Sequence, residues 1–145
     1  MRGRGAVLAL ILVAACAPRA VRPRGTVVGL PADVDAVVRR ALTADAAGDA
    51  TADTLYAPDA IVVGNARIRL AAPRFAGVSY GGRLNVAASA VTLEGRFAWV
   101  MVDYRWVGAD PRQVEVGRAT FICEQRGSRW KIVHAHSSQQ LPWDR

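Results

Sequence analysis

Between residues 85 and 138 the chain reads as four consecutive β-strands, Asn85–Leu93, Phe97–Val107, Val114–Gln125 and Trp130–Ser138. Only turn material separates them: Glu94-Gly95-Arg96, then Gly108-Ala109-Asp110-Pro111-Arg112, then Arg126-Gly127-Ser128-Arg129. Connections this short pair strands antiparallel, because a parallel crossover needs a dozen or more residues. A meander of four neighbouring strands limits the fold more than anything else in the chain.

Charge sets an expected register. Folding the second hairpin about Asp110 places Arg105 opposite Glu115, and folding the third between Gly127 and Ser128 places Glu124 opposite Lys131. Opposite charges across a strand pair contribute about 0.2–1 kcal/mol. This register puts Trp99, Met101, Asp103, Arg105, Glu115, Ala119, Phe121, Cys123, Ile132, His134 and His136 on one face. The other face takes Val100, Val102, Tyr104, Trp106, Val114, Val116, Arg118, Thr120, Ile122, Val133 and Ala135. Neither is cleanly polar. The sheet is therefore expected to be covered twice, once by helices and once by a partner subunit or its own curled ends.

Ahead of the meander, Pro31-Ala32-Asp33 opens a helix, since proline suits the first turn and Asp33 and Asp35 suit the positive end of the dipole. Val34, Val37, Val38, Ala41 and Leu42 recur at helical spacing and form one apolar face, with Gly48 as the stop. Asp49 is placed to cap a shorter helix through Leu55 and Tyr56, ended by Pro58. Ala60–Gly64 reads as a short strand. Segment 66–84, with Pro73, Gly77 and Gly81-Gly82, reads as irregular. There is no internal repeat, and residues 30–145 suffice for one domain.

The first sixteen residues, MRGRGAVLALILVAAC, have a different character. Arg2 and Arg4 form a basic head, and Ala6–Ala15 is an unbroken apolar run of ten residues, too short to span a bilayer. It fits the core of a secretory signal. Val13-Ala14-Ala15-Cys16 resembles a bacterial lipobox, which implies cleavage before Cys16 and lipid on its sulfur and new amino terminus. The other reading is an ordinary signal peptide with an incidental cysteine. Residues 17–29, with Pro18 and Pro23, read as a flexible tether. A lipidated Cys16 would leave Cys123 without a disulfide partner, as a small buried apolar residue.

The formal charge of +7 shrinks under the same division. Arg2, Arg4, Arg19, Arg22 and Arg24 precede residue 26, leaving fourteen basic against twelve acidic residues, a net +2. A nearly neutral domain lacks the basic face that nucleic-acid binding requires.

The order helix, Gly48-Asp49, short helix, "LYAPDAIVV", then an antiparallel sheet ending in "RWKIVHAHSS" resembles the nuclear-transport-factor-2-like superfamily over about residues 31–139. It is most similar to the SnoaL-like branch and to the association domain of calcium/calmodulin-dependent protein kinases. There the last strand also reads Trp-x-x-Val-His-x-His followed by Ser. The resemblance implies an α+β cone, a curved antiparallel sheet wrapped around N-terminal helices. It implies a pocket at the open end and a homodimer joined through the outer sheet face. The arginines that bind acids in the kinase association domain fall here at Asp103, Phe121 and Ser137, so acid binding is not implied. The expected division is a signal peptide (1–15), lipidated Cys16 with its tether (16–29), and a SnoaL-like cone domain (30–145) on the periplasmic side of a bacterial envelope, with the outer membrane favoured.

Function does not follow from fold. Asp103 interrupts an apolar run, and inside a cone desolvation would raise its pKa and make it a general base, as a pocket aspartate is in steroid-isomerase relatives. Against that stands a plain ion pair with Arg105. His134 and His136 point to one side of a strand. They are candidates for hydrogen-bond partners of such a base, or for simple sheet packing. Two imidazoles want further ligands before they hold zinc, so no metal and no cofactor is expected. Trp99, Tyr80 and Phe121 are the aromatic candidates for lining a small apolar ligand's pocket. Two functions compete: a non-catalytic, lipid-anchored binding or assembly module, and a small isomerase or hydrolase using Asp103 with His134 and His136.

Overall fold

The computed structural model describes residues 29–64, 67–70 and 81–139; Cys16 and Tyr80 lie outside them. Helix α1 (Pro31–Ala47) starts where expected, with the Asp33 carboxylate accepting from the Leu30 N–H at 3.0 Å. It ends at Gly48. Val34, Val38, Ala41 and Leu42 are fully buried and Val37 partly so, as the spacing requires.

Asp49 caps the next segment, accepting from the Thr51 N–H at 2.8 Å. That segment is one 3-10 turn (Ala50–Thr54), not a helix through Tyr56. Tyr56 already belongs to β1 (Tyr56–Gly64), and Pro58 sits within that strand. Proline is tolerated there because the pairing to the neighbouring strand breaks between Tyr56 and Ile61, so no ladder bond is lost. The segment read as irregular contains a short strand, β2 (Arg67–Leu70). The meander comprises β3 (Arg83–Glu94), β4 (Phe97–Val107), β5 (Val114–Arg126) and β6 (Arg129–Gln139), each bound within two residues of expectation.

The strands form one sheet in the order β2-β1-β6-β5-β4-β3. Every joint is antiparallel except β1–β6, which is parallel. Turn-based reasoning could not see that joint, since no turn links the two strands. The β3–β4 and β5–β6 hairpins close on Gly95 and Gly127, at φ 59° and 64°. The two-residue turns that match strand twist need this left-handed conformation. We call this the tight-turn end.

The face assignment is corrected. Opposite Arg105 stands Val116, not Glu115, which faces Trp106. The cause is the six-residue connection 108–113, where Gly108 N–H donates to the Gln113 carbonyl at 2.9 Å. A slip of one residue turns every side chain of β5 over. Phe121, Cys123 and Ala119 therefore lie on the face opposite Trp99, while Val116, Arg118, Thr120 and Ile122 join it. The Glu124–Lys131 pairing holds, but the register shifts between Cys123 and Ile122, so Cys123 faces Ile132 and Ile122 faces His134. That shift leaves Ile132 on the inner face and returns His134 and His136 to the side of Trp99.

Bulges bend strands, and β3 has a similar shift between Val86 and Ala88. The sheet curves, unclosed, around α1 in the cone-like α+β arrangement. The inner face packs Val62, Val100, Val102, Tyr104, Phe121, Cys123, Ile132 and Ala135 against the helix stripe in one cluster.

Gly117 leaves room for Tyr104. A Cβ there would stand 2.4 Å from the Tyr104 hydroxyl and 2.7 Å from the Ser138 carbonyl. Gly117→Ala should therefore cost about 1–3 kcal/mol. Urea denaturation measures it, and a variant as stable as the parent would show that Tyr104 does not seat against Gly117.

Candidate functional site

The side chains that drew attention in the sequence gather on the outer face of the sheet. Pairing across β3, β4, β5, β6 and β1 builds two rows. One runs Thr92, Trp99, Ile122, His134, Ile61, and the next runs Ala90, Met101, Thr120, His136, Val63. Trp99 is 39% exposed, Met101 48% and Ile61 41%, with Val116 at 42% on the same face beyond the Asp103–Arg118 row. Large apolar groups this open are unusual in such a cluster.

Beside the rows, Asp103 faces Arg118. The pair is bidentate, with Arg118 Nε and Nη2 donating to the two carboxylate oxygens at 2.6 and 3.1 Å. The expected partner, Arg105, is displaced by the register slip. Asp103 and Arg118 edge an open groove of about 530 Å³ that also takes in Val116, Ser138 and Gln139. The expectation of a raised pKa is reversed. Hydrogen bonding to Arg118, with its positive charge, holds the Asp103 carboxyl below the usual carboxylate range. An ionised, salt-bridged carboxylate in water is a weak base. His134 is partly buried, and desolvation followed by the charge of His136 lowers its pKa. Among the described residues no three His, Cys, Asp or Glu side chains come together to hold a metal.

Trp99 and Phe121, both named as pocket aromatics, lie on opposite faces. Phe121 is fully buried in the core. Burial pushes the Cys123 thiol up to about 12, which keeps it protonated and a poor nucleophile.

The inner face holds a polar group that the sequence reading passed over. Asp45, 1% exposed, accepts from the Tyr56 hydroxyl at 2.7 Å. Ser137, also 1% exposed, lies on this side. A signal for Asp45 was present: counting on from Val34, Val38, Ala41 and Leu42, position 45 falls on the buried stripe of α1. An acid there is either paired in the core or turned toward a cavity.

A family model described as the SnoaL-like domain matches residues 34–142. The chain belongs to the SnoaL-like domain family. No curated protein matches it by sequence. Among solved structures, a nuclear-transport-factor-2-like protein from Pseudomonas putida is 20% identical, covering 74% of this chain and 84% of its own at a TM-score of 0.62. A candidate ketosteroid isomerase from Parabacteroides distasonis is 17% identical, covering 80% and 92% at 0.64. A candidate calcium/calmodulin-dependent protein kinase II association domain from Xanthomonas campestris is 21% identical, covering 79% and 94% at 0.59. At these identities the likenesses show the fold alone.

The lowered pKa of His134 fixes a direction for acid stability. The unfolded imidazole takes a proton more readily than the folded one, so stability is intact above about pH 6.5 and falls as pH drops through that value. Thermal melts between about pH 7 and about pH 5 should show this loss, and His134→Gln should flatten it. An unchanged slope in the variant would mean that His134 is not the group responsible.

Proposed function

We propose that this SnoaL-like protein is a lipid-anchored component of the bacterial cell envelope that acts as a non-catalytic assembly module, two copies joining through their outer sheet faces. The observation that carries the reading is the pair of rows bearing Trp99, Met101, Ile61 and Ile122. Five strands spaced about 4.8 Å apart and rising about 3.3 Å per residue present, over about nine residues each, a face on the order of 700 Å², of which the two rows make up about half. The whole face is close to the roughly 800 Å² per partner of a standard interface. Such a face suits a twofold contact, in which each patch meets its own copy. The charged pair at its border, Asp103 with Arg118, is neutralised within one subunit. Asp103, His134 and His136 then serve as interface residues, not as acid–base groups.

Anchoring through Cys16 on the periplasmic side of the envelope completes the proposal. Its support is the apolar run Ala6–Ala15 ending in Val13-Ala14-Ala15-Cys16.

A second reading has its own observation. The buried Asp45 carboxylate, bonded by Tyr56, is an acid held between α1 and the inner face of the sheet. Isomerase-type chemistry there would use Asp45 in place of Asp103, which lies across the sheet. Incubation with a 3-oxo-Δ5 steroid, followed by ultraviolet absorbance of the conjugated product, separates the two. Turnover that Asp45→Asn abolishes would favour the enzyme.

For the assembly reading, sedimentation equilibrium of the Cys16→Ser chain should report a dimer. Met101→Glu should shift it to monomer, because a carboxylate buried between two apolar faces is left without a partner. A parent chain that remains monomeric across the accessible concentration range would refute the proposal.

A further inference from the structure

A groove of about 480 Å³ lies at the tight-turn end, between α1, the 3-10 turn and the start of β6. Its apolar floor is Val37, Leu55 and Trp130, and Arg40, Arg129 and Lys131 bring three positive charges to it. Five other arginines (Arg39, Arg96, Arg112, Arg118 and Arg126) are engaged in ion pairs. Arg40 and Arg129 are exposed and have no such partner among the described residues. Lys131 is held over the groove by donating to the Thr54 carbonyl. The one acid present, Asp33, is turned to the Leu30 N–H.

The same place receives the N-terminal segment. Gly29 lies on Trp130, where an added Cβ would stand 2.9 Å from the indole nitrogen. A second groove, of about 560 Å³ and lined by Gly29, shares Asp33, Ser128 and Trp130 with the first. Twelve residues, 17–28, lie between Cys16 and Gly29. Even fully extended, a stretch of that length reaches no more than about 45 Å, and it enters the domain at Gly29. An anchor at Cys16 would thus hold this end of the domain, and not the outer sheet face, close to the lipid surface.

We propose that the groove binds the phosphate-bearing headgroup of an anionic glycerophospholipid. The guanidinium groups of Arg40 and Arg129 take the phosphate oxygens, the Lys131 ammonium adds a point charge, and the apolar floor takes the glycerol and first methylenes. The proposal rests on the lipid-anchor reading for its setting but not for its chemistry, and it is independent of dimerisation. Each basic residue near an anionic surface strengthens attachment about fivefold.

The test uses the full chain carrying Cys16→Ser, so that covalent lipid plays no part. Binding is measured by cosedimentation with phosphatidylcholine vesicles with and without phosphatidylglycerol. The apolar leader contributes equally to every variant. Phosphatidylglycerol should strengthen binding of the parent, and Arg40→Gln/Arg129→Gln should weaken it by about 25-fold. Arg83→Gln/Arg105→Gln removes the same charge from two exposed arginines that line no part of this groove and likewise lack ion pairs among the described residues. It should change binding by no more than about twofold. Equal losses in the two double variants would mean bulk charge attraction and would overturn the proposal. Release from the vesicles by inorganic phosphate, where the same ionic strength of sodium chloride releases nothing, would overturn it in favour of a free-anion site.

Discussion

One amphipathic helix and one curved sheet bury each other, and the rest of the molecule is arranged around that contact. The stripe Val34, Val38, Ala41, Leu42 is continuous and fully buried, and it covers the inner face alone. Hydrophobic burial is proportional to area removed from water, so the helix stabilises whichever residues the register brings inward. The outer face receives no such cover from the described elements. It nevertheless carries Trp99, Met101, Ile61 and Val116 in the open. That imbalance, more than any single side chain, directs attention to the sheet exterior.

The elements were legible in the sequence because their causes are local. Helical spacing, the proline start and Gly48 defined α1; glycine-bearing breaks defined the hairpins. The faces were not legible, because the side a strand residue occupies depends on counting across a turn. Arg105 and Glu115 looked like partners, yet the 108–113 connection holds six residues, and Val116 took the place. Phe121 and Cys123 moved to the core through that single slip. His134 and His136 were placed beside Trp99 correctly, but only because the register shift at Ile122–Cys123 offset the earlier error. Asp45 stayed hidden for a different reason. Carboxylates are seldom buried, and only its position on the stripe pointed to burial.

Charge is handled economically at the tight-turn end. Glu124, 9% exposed, meets Arg96 at 3.0 Å and Arg126 at 2.7 Å, and Arg126 also reaches Asp59 at 3.0 Å. This small network joins both hairpins to β1 and gives a buried carboxylate the partners it requires. Arg40 and Arg129 lie outside this network, and the charge of Arg40 acts on Asp49 without an ion pair between them. The outer pair Asp103–Arg118 behaves like the network, since each charge satisfies the other within one chain.

The parallel joint between β1 and β6 has a bearing on biogenesis. It brings residues 61–64 beside residues 134–137, almost the first and last parts of the sheet. Contacts so distant along the chain make folding slower, because loop closure precedes any gain from pairing. During synthesis, β1 has no parallel neighbour until β6 has emerged. The polypeptide is thus kept from completing its sheet until its two most distant strands are both available, so the closing step couples the helical end of the domain to its last hairpin.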